Sequence, residues 1–212
     1  MFLGQRNELF HAAIECLIAA MEARDTYTAG HSQRVADMAW DLALRAGLGR
    51  GEREKIHVAA HLHDIGKIGI PDRILRKPDR LSFEEWVQIQ QHPEIGYRIL
   101  SRSHLLREVA RIVLHHHERW DGKGYPAGLK GEAIPLGARL IAVCDTIDAI
   151  TSLRPHRPPR TWEECRQELL AVRGLQLDPV LVDFAVELLP RWQQRYEQKK
   201  LPRAVSICLG KR

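Results

Sequence analysis

Apolar residues recur along most of the chain at the spacing of helices that bury one face. Within residues 28–46, Val35, Met38, Ala39 and Leu42 fall on one stripe, a pattern typical of an amphipathic α-helix. Similar patterns predict helices over residues 8–24, 28–46, 52–63, 72–75, 92–100, 105–116, 136–152, 162–172 and 179–189. Ser82 and Glu85 form a capping-box pattern that starts one more helix. We therefore expect an all-α helical bundle.

Two segments depart from this periodicity. Residues 118–135 are rich in Gly and Pro and predict a long loop, and a loop of that length usually has a function. Residues 191–212 contain seven basic residues and one acidic residue, without a periodic basic face. We expect one domain over 1–190 and a basic C-terminal extension over 191–212, exposed to solvent. A nucleic-acid or membrane patch is the alternative for that extension.

Composition narrows the class of protein. The 212 residues suit one domain, and 44% are hydrophobic. No run approaches the roughly 18 apolar residues of a spanning helix, and the N-terminus lacks the apolar centre of a signal peptide. Four separated cysteines, without a CxxC pair, argue against a disulfide framework or zinc ribbon. We expect a cytoplasmic protein without membrane insertion and without a nucleic-acid polymer as partner.

Histidines and aspartates accompany the apolar stripes. His63 ends the stripe of the third predicted helix beside Asp64, His31 continues the stripe of the second, and Asp145 lies within an apolar run. Taken alone, the pair His63–Asp64 is better explained as a core histidine with a capping aspartate. Further candidates are His92, His116 and His117, at the ends of other predicted helices, and Asp148, one turn after Asp145 on the same face. Inward-facing imidazoles and carboxylates from five helices are better explained by one shared metal cluster.

An ordered series of motifs carries a resemblance to a known family. The series comprises His-Asp-Ile-Gly-Lys at 63–67, His-His-Glu at 116–118 and Asp-Gly-Lys-Gly-Tyr-Pro at 121–126. It resembles the HD-GYP family, a branch of the HD metal-dependent phosphohydrolases, and the similarity extends over about residues 22–179. The resemblance implies an HD-domain helical bundle whose Gly/Pro-rich loop carries the Gly-Tyr-Pro motif.

The resemblance also implies a binuclear metal centre, usually of iron or manganese. The ligands implied by position are His31, His63, Asp64, His92, His116, His117 and Asp145. Asp64 would bridge the two metals, because a carboxylate has two oxygens, and a water shared by two metals becomes a hydroxide near neutral pH. Some family members bind a third metal through a glutamate where this chain has Tyr27. We therefore expect two divalent metal ions.

The implied activity is hydrolysis of cyclic di-GMP to pGpG in bacterial signalling, with further cleavage to GMP left open. Lys67 would contact a phosphate oxygen and stabilise charge in the transition state. Arg154 and Arg157 would hold the second phosphate or a guanine edge, although His156 replaces an aromatic residue usual in the family. Tyr125 either lines the substrate groove or packs against the body.

Four more residues are expected to support the ligands. Glu118, Asp121 and Asp148 would accept hydrogen bonds from ligand imidazoles, and Arg34 would pair with one of these carboxylates. His57 and His61, spaced as i and i+4, could bind zinc on a helix face. They lie off the stripe of His63, so we interpret them as polar surface residues.

Two other functions stay open at this stage. The chain could be an HD phosphohydrolase acting on another cyclic dinucleotide or nucleotide, or a non-catalytic signalling adaptor. The complete ligand set argues against an adaptor, which needs no metals. Family members usually join this domain to a sensor or receiver module, so the sequence is a fragment or a stand-alone enzyme. A homodimer or a signalling-protein partner also stays open.

Overall fold

A computed structural model describes residues 12–20, 30–153 and 158–200 of the chain, with side chains through residue 197. Their α-helices are α1 (12–20), α2 (His31–Arg45), α3 (Arg50–Leu62), α4 (Asp72–Leu75), α5 (Phe83–Ile89), α6 (His92–Leu100), α7 (Arg107–Leu114), α8 (Leu136–Thr151), α9 (Trp162–Val172) and α10 (Pro179–Lys200). Short 3-10 helices cover Ile65–Gly69, His104–Leu106 and Gly131–Ala133. The described residues contain no β-strand, which confirms the all-α prediction.

Helix α8 lies at the centre of the bundle and contacts α2, α3, α7, α9 and α10. Leu140, Ile141, Cys144 and Ile147 on this helix have no exposed surface. Burying a side chain such as leucine or isoleucine contributes about 1.5–3 kcal/mol. The apolar run that predicted α8 therefore anchors the fold, and it fixes the position of the aspartates within the run.

Local sequence signals set several helix ends. Ser82 Oγ accepts a hydrogen bond from the Glu85 N–H, and the Glu85 carboxylate accepts one from the Ser82 N–H at 2.8 Å. The predicted capping box is therefore present. Thr161 and Glu164 form a second capping box at the start of α9. Gly30, with φ of 70°, precedes α2, so this helix begins at His31 instead of residue 28.

Helix α10 continues across the boundary that we expected at residue 190. Trp192 is fully buried, and its indole N–H donates to a carboxylate oxygen of Asp41 over 3.0 Å. Arg195 pairs with the same carboxylate at 2.8 Å. Residues 191–197 thus pack on the body instead of forming an exposed extension. The predicted helix ended at residue 189, but Pro190 lies inside α10. Residues 201–212 lie outside the described part.

The long predicted loop has little regular structure, apart from the 3-10 helix Gly131–Ala133. It is held to the body by backbone hydrogen bonds, from the N–H of Trp120 to Gln176 and from the N–H of Asp121 to Leu175. The residues before the Gly-Tyr-Pro motif are thereby fixed next to the C-terminal end of α9. No helix among the described residues has the length and apolar character needed to cross a bilayer.

Candidate metal centre

The first cluster of the site joins the start of α2, the end of α3 and the middle of α8. It comprises His31, His63, Asp64 and Asp145. The Nε2 atoms of His31 and His63 lie 3.3 Å apart. Asp64 Oδ2 is 3.4 Å from His63 Nε2, and Asp145 Oδ1 is 3.5 Å from His31 Nε2. These four side chains therefore converge from helices that are far apart in sequence.

The second cluster lies against the first and comprises His92, His116 and His117. The Nε2 atoms of His92 and His116 are 3.3 Å apart, and the ring centroids of His116 and His117 are 4.0 Å apart. Asp64 turns its other oxygen, Oδ1, toward His92 Nε2 at 3.5 Å. One carboxylate thus presents one oxygen to each cluster, which is the geometry expected of a bridging ligand.

Hydrogen bonds fix which imidazole nitrogen points into the centre. Three histidines donate from Nδ1 to backbone carbonyls three residues earlier, over 2.6–2.8 Å; the pairs are His63–Ala60, His92–Ile89 and His116–Val113. His31 Nδ1 donates to Asp148 Oδ2 over 2.7 Å. Because these oxygens only accept, Nδ1 holds a proton, and in the neutral ring Nε2 has a free lone pair.

The Nε2 atoms of each cluster therefore face each other as lone pairs at 3.3 Å. That arrangement is repulsive unless a cation lies between them or one imidazole binds a second proton. Neutral imidazoles and carboxylates are the donors that divalent transition metals prefer. Within the described residues, His31, His63 and Asp64 form one group with ligand atoms within 4.8 Å of one another, and His92, His116 and His117 form another. The donor set thus fits two metal ions.

The pKa values follow the distribution of carboxylates. Burial lowers the pKa of His63, but the charge and hydrogen bond of Asp64 offset this effect and raise the value to about 9. Burial and the neighbouring His92 lower the pKa of His117 to about 3. Burial likewise holds the pKa of His116 well below its usual value. The second cluster is therefore neutral near pH 7, whereas the first attracts positive charge.

Lys67 lies at the edge of the centre, with Nζ 2.7 Å from Asp64 Oδ2. Burial alone would raise the pKa of Asp64, but the charges of Lys67 and His63 bring it well below the usual range. Asp64 is therefore ionised, as a bridging ligand needs to be. The side chain of Lys67 is 27% exposed, so its ammonium group lies where the centre meets solvent.

Asp148 supports the first cluster from behind. Besides His31, it accepts hydrogen bonds from Arg34 Nη2 at 3.2 Å and from Ser152 Oγ at 3.0 Å. Arg34 Nε also donates to it. These bonds and the charge of Arg34 keep the pKa of Asp148 below its usual range despite burial. Arg34 thus pairs with one of the three carboxylates we had considered, and Ser152 is a partner that the sequence analysis missed.

Glu118 and Asp121 have different partners from those expected. Glu118 accepts from the backbone N–H groups of Ala127 and Leu129, at 2.8 and 3.0 Å, and its third contact is to His115. Asp121 accepts from Arg119 and from a backbone N–H of the loop. Both acids start a loop whose backbone N–H groups need acceptors. They hold the Gly-Tyr-Pro loop in place instead of supporting a ligand imidazole.

The loop contacts the second cluster through Tyr125, whose ring centroid lies 5.0 Å from that of His117. The backbone packs closely here: a Cβ atom added to Gly124 would lie 2.3 Å from the backbone nitrogen of Arg119. Tyr125 therefore packs beside a predicted ligand. The predicted substrate residues Arg154 and Arg157 lie outside the described residues, as do His156 and Tyr27.

Two residues near the centre differ from what the sequence led us to expect: Gly66 had no assigned role, and His61 was expected at the surface. Gly66 lies so close to α6 that an added Cβ would be 1.8 Å from the His92 carbonyl oxygen. His61 is buried, with 7% exposure, instead of forming a polar surface. Its Nδ1 has no hydrogen-bond partner among the described residues. The glycine two residues after Asp64 was the available signal for the first, whereas none marked the second.

Comparison with known proteins identifies relatives over most of the chain. A family model described as an HD domain matches residues 15–181. The "Cyclic di-GMP phosphodiesterase" of Thermotoga maritima is 40% identical over 201 residues, covering 94% of this chain and 55% of that protein. The "3'3'-cGAMP-specific phosphodiesterase 2" of Vibrio cholerae is 43% identical over 173 residues, covering 81% of this chain and 33% of that protein.

The chain thus spans about half of one curated relative and a third of the other. Among solved structures, a cyclic GMP-AMP specific phosphodiesterase of V. cholerae, V-cGAP3, superposes with a TM-score of 0.65 at 21% identity. The match covers 90% of this chain and 54% of that one. It shows that the helical fold is shared.

Proposed function

This chain belongs to the HD domain family, and we propose that it is a metal-dependent phosphodiesterase that hydrolyses cyclic di-GMP to pGpG. The observation that supports this most is the paired arrangement of Nε2 lone pairs on the two sides of Asp64. A relative 40% identical to this chain bears the name cyclic di-GMP phosphodiesterase. Cleavage of pGpG to GMP is a further step, because the linear product has one similar diester.

The first cluster would hold one divalent cation and the second cluster the other, with an oxygen of Asp64 facing each. Imidazole and carboxylate donors without a thiolate suit iron or manganese. When bound, such a pair of ions activates water and neutralises charge on a phosphate group. The protein keeps the imidazoles in the tautomer that can coordinate, through the Nδ1 hydrogen bonds of His31, His63, His92 and His116.

Lys67 would contact a non-bridging phosphate oxygen. Its ammonium group is already at the centre, 2.7 Å from Asp64, and part of its side chain is open to solvent. A short rotation would bring it to a substrate on that side, where it stabilises charge in the transition state. Tyr125 would line the same groove beside His117. Arg154 and Arg157 remain our proposed contacts to the second phosphate or to guanine.

A second substrate is favoured by one observation. The relative that is 43% identical to this chain is named as specific for 3'3'-cGAMP. Both dinucleotides present the same pair of phosphodiesters to a metal centre, and they differ in one base. The identity of the base that is bound would therefore be decided by residues outside the metal clusters.

The test is hydrolysis of cyclic di-GMP, 3'3'-cGAMP and cyclic di-AMP by protein loaded with Mn²⁺ or Fe²⁺, followed by chromatography. We expect pGpG from cyclic di-GMP, and loss of product in the variant His92→Gln. The control is His104→Gln, since His104 is exposed and belongs to neither cluster. Metal-loaded protein that cleaves none of the three diesters would contradict the proposal and favour a non-catalytic adaptor. Faster cleavage of 3'3'-cGAMP than of cyclic di-GMP would identify 3'3'-cGAMP as the preferred substrate of the same phosphodiesterase reaction.

A further inference from the structure

The two clusters differ in the number of carboxylates around them. The first has Asp145 in addition to Asp64, with Asp145 Oδ1 3.5 Å from His31 Nε2. For the second, Asp64 provides the only carboxylate oxygen within 4 Å of a ring nitrogen of its three histidines, among the residues that the structure describes. Asp145 also acts on His117 across the centre, but it lies nearer the first cluster, so a dication there would experience this additional negative charge more strongly.

The outer partners of the imidazoles differ in the same direction. His31 donates from Nδ1 to the Asp148 carboxylate, whereas His92 and His116 donate to neutral backbone carbonyls. A carboxylate partner makes the opposite ring nitrogen a more basic ligand. Asp148 itself is held ionised and oriented by Arg34. His31 is thus a stronger donor than its counterparts in the second cluster.

Two cations act against this difference. Arg34 shares the charge of Asp148, and Lys67 lies 2.7 Å from the Asp64 oxygen that faces the first cluster. Lys67 acts on a carboxylate that both clusters share, so its charge weakens the binding of a cation in either cluster. Among the described side chains, Asp145 has no Lys or Arg within 4 Å, and its partner at that distance is His31. The balance of charge therefore still favours the first cluster.

We propose that the two metal positions are unequal and fill in order. The first cluster binds its divalent cation tightly, and the second binds a more weakly held cation that exchanges with the medium. The inference rests on the proposed function, since it concerns the same centre. It assigns Asp145 as the residue that sets the difference and Asp148 as a positioning residue that adds to it. We expect the two dissociation constants to differ by about tenfold or more.

The experiment is a titration of metal-free protein with Mn²⁺ alone, followed by calorimetry and by the electron paramagnetic resonance signal of free Mn²⁺. Wild-type protein should bind two equivalents in two steps. Asp145→Asn keeps the size of the side chain but removes its charge, and it should weaken the tight step by at least the roughly 10–100-fold that loss of an outer partner costs. His117→Ala should remove the weak step and leave the tight one. Asp183→Asn, which removes an exposed carboxylate that pairs with Arg173 outside the centre, is the matched control.

The outcomes separate this inference from the proposed function. Two equivalents that bind in one step would overturn the inference and leave the binuclear centre standing. So would an Asp145→Asn variant in which only the weaker step changes. A wild-type protein that binds no Mn²⁺, or one equivalent, would overturn the binuclear centre as well. If Asp145→Asn fails to fold by circular dichroism, Asp148→Asn and the wild-type titration decide, because both bear on the tight step.

Discussion

Replacing Gly66 with alanine should disrupt the metal centre without changing any ligand. The added Cβ would lie 1.8 Å from the His92 carbonyl oxygen and 2.6 Å from the Gly96 nitrogen. An unstrained carbon–oxygen contact is about 3.3 Å or longer. The obstacle is backbone, which cannot rotate away as a side chain can. The start of α6 must therefore move by about 1.5 Å, if the contact is to reach that length.

The shift has two consequences of different size. Overpacking of this kind costs about 1–3 kcal/mol, and we expect the upper end because backbone atoms collide. His92 is the first residue of α6, so its imidazole moves with the displaced backbone. A misplacement of about 1 Å can reduce a catalytic rate about 100-fold. We therefore expect a moderate loss of stability together with a large loss of metal binding and turnover.

The assay combines urea unfolding of the metal-free protein with Mn²⁺ titration and dinucleotide hydrolysis. Gly51→Ala is the matched control, because nothing lies within 4 Å of a Cβ at that position in α3. Alanine there should be neutral or stabilise the helix by up to about 1 kcal/mol. A Gly66→Ala protein with wild-type stability and unchanged Mn²⁺ binding would refute the close approach of this glycine to α6.

Three further variants test the packing of α10, the contacts of the Gly-Tyr-Pro loop and the burial of His61. Trp192→Ala should lower the free energy of unfolding, measured in urea, by about 3–5 kcal/mol. An unchanged value would indicate that residues 191–197 form an exposed extension. Glu118→Gln should destabilise the loop by about 1–3 kcal/mol and speed hydrogen exchange at the Ala127 and Leu129 amides, and unchanged exchange would contradict its role. Burial lowers the pKa of His61 to about 4 in the folded state, against about 6.5 when unfolded. As the pH falls, the unfolded chain therefore binds the proton first, and the free energy of unfolding decreases between about pH 6.5 and pH 4. His61→Phe should reduce this pH dependence. An identical pH dependence in the variant would contradict the burial of a neutral His61.

Much of the fold was predictable because the burial pattern repeats with the helical period. The predicted bounds of α4, α6 and α9 agree with the structure. The error at α10 has a physical reason. Proline removes a backbone donor and usually ends a helix, but here Trp192 and Arg195 beyond it gain partners at Asp41. Tertiary contacts thus outweighed the local preference, and they are not visible in the segment itself.

The centre could be predicted only in part. The identity of its histidines and aspartates is written in the sequence, and the folded chain brings together the seven positions that we expected as ligands. Their outer partners are mainly backbone carbonyls, such as that of Ala60 for His63, and backbone groups have no sequence signature. The contacts of Glu118 depend on how the loop folds back at Ala127 and Leu129. Spacing alone could not distinguish that role from support of an imidazole.

Anomalous X-ray scattering from crystals of the Mn²⁺-loaded protein would locate the bound metal ions. We expect two peaks, one on each side of the Asp64 carboxylate. One should lie among the Nε2 atoms of His31 and His63 and an oxygen of Asp145, and the other among the imidazoles of the second cluster. A single peak, or peaks away from Asp64, would contradict a binuclear centre built from these side chains.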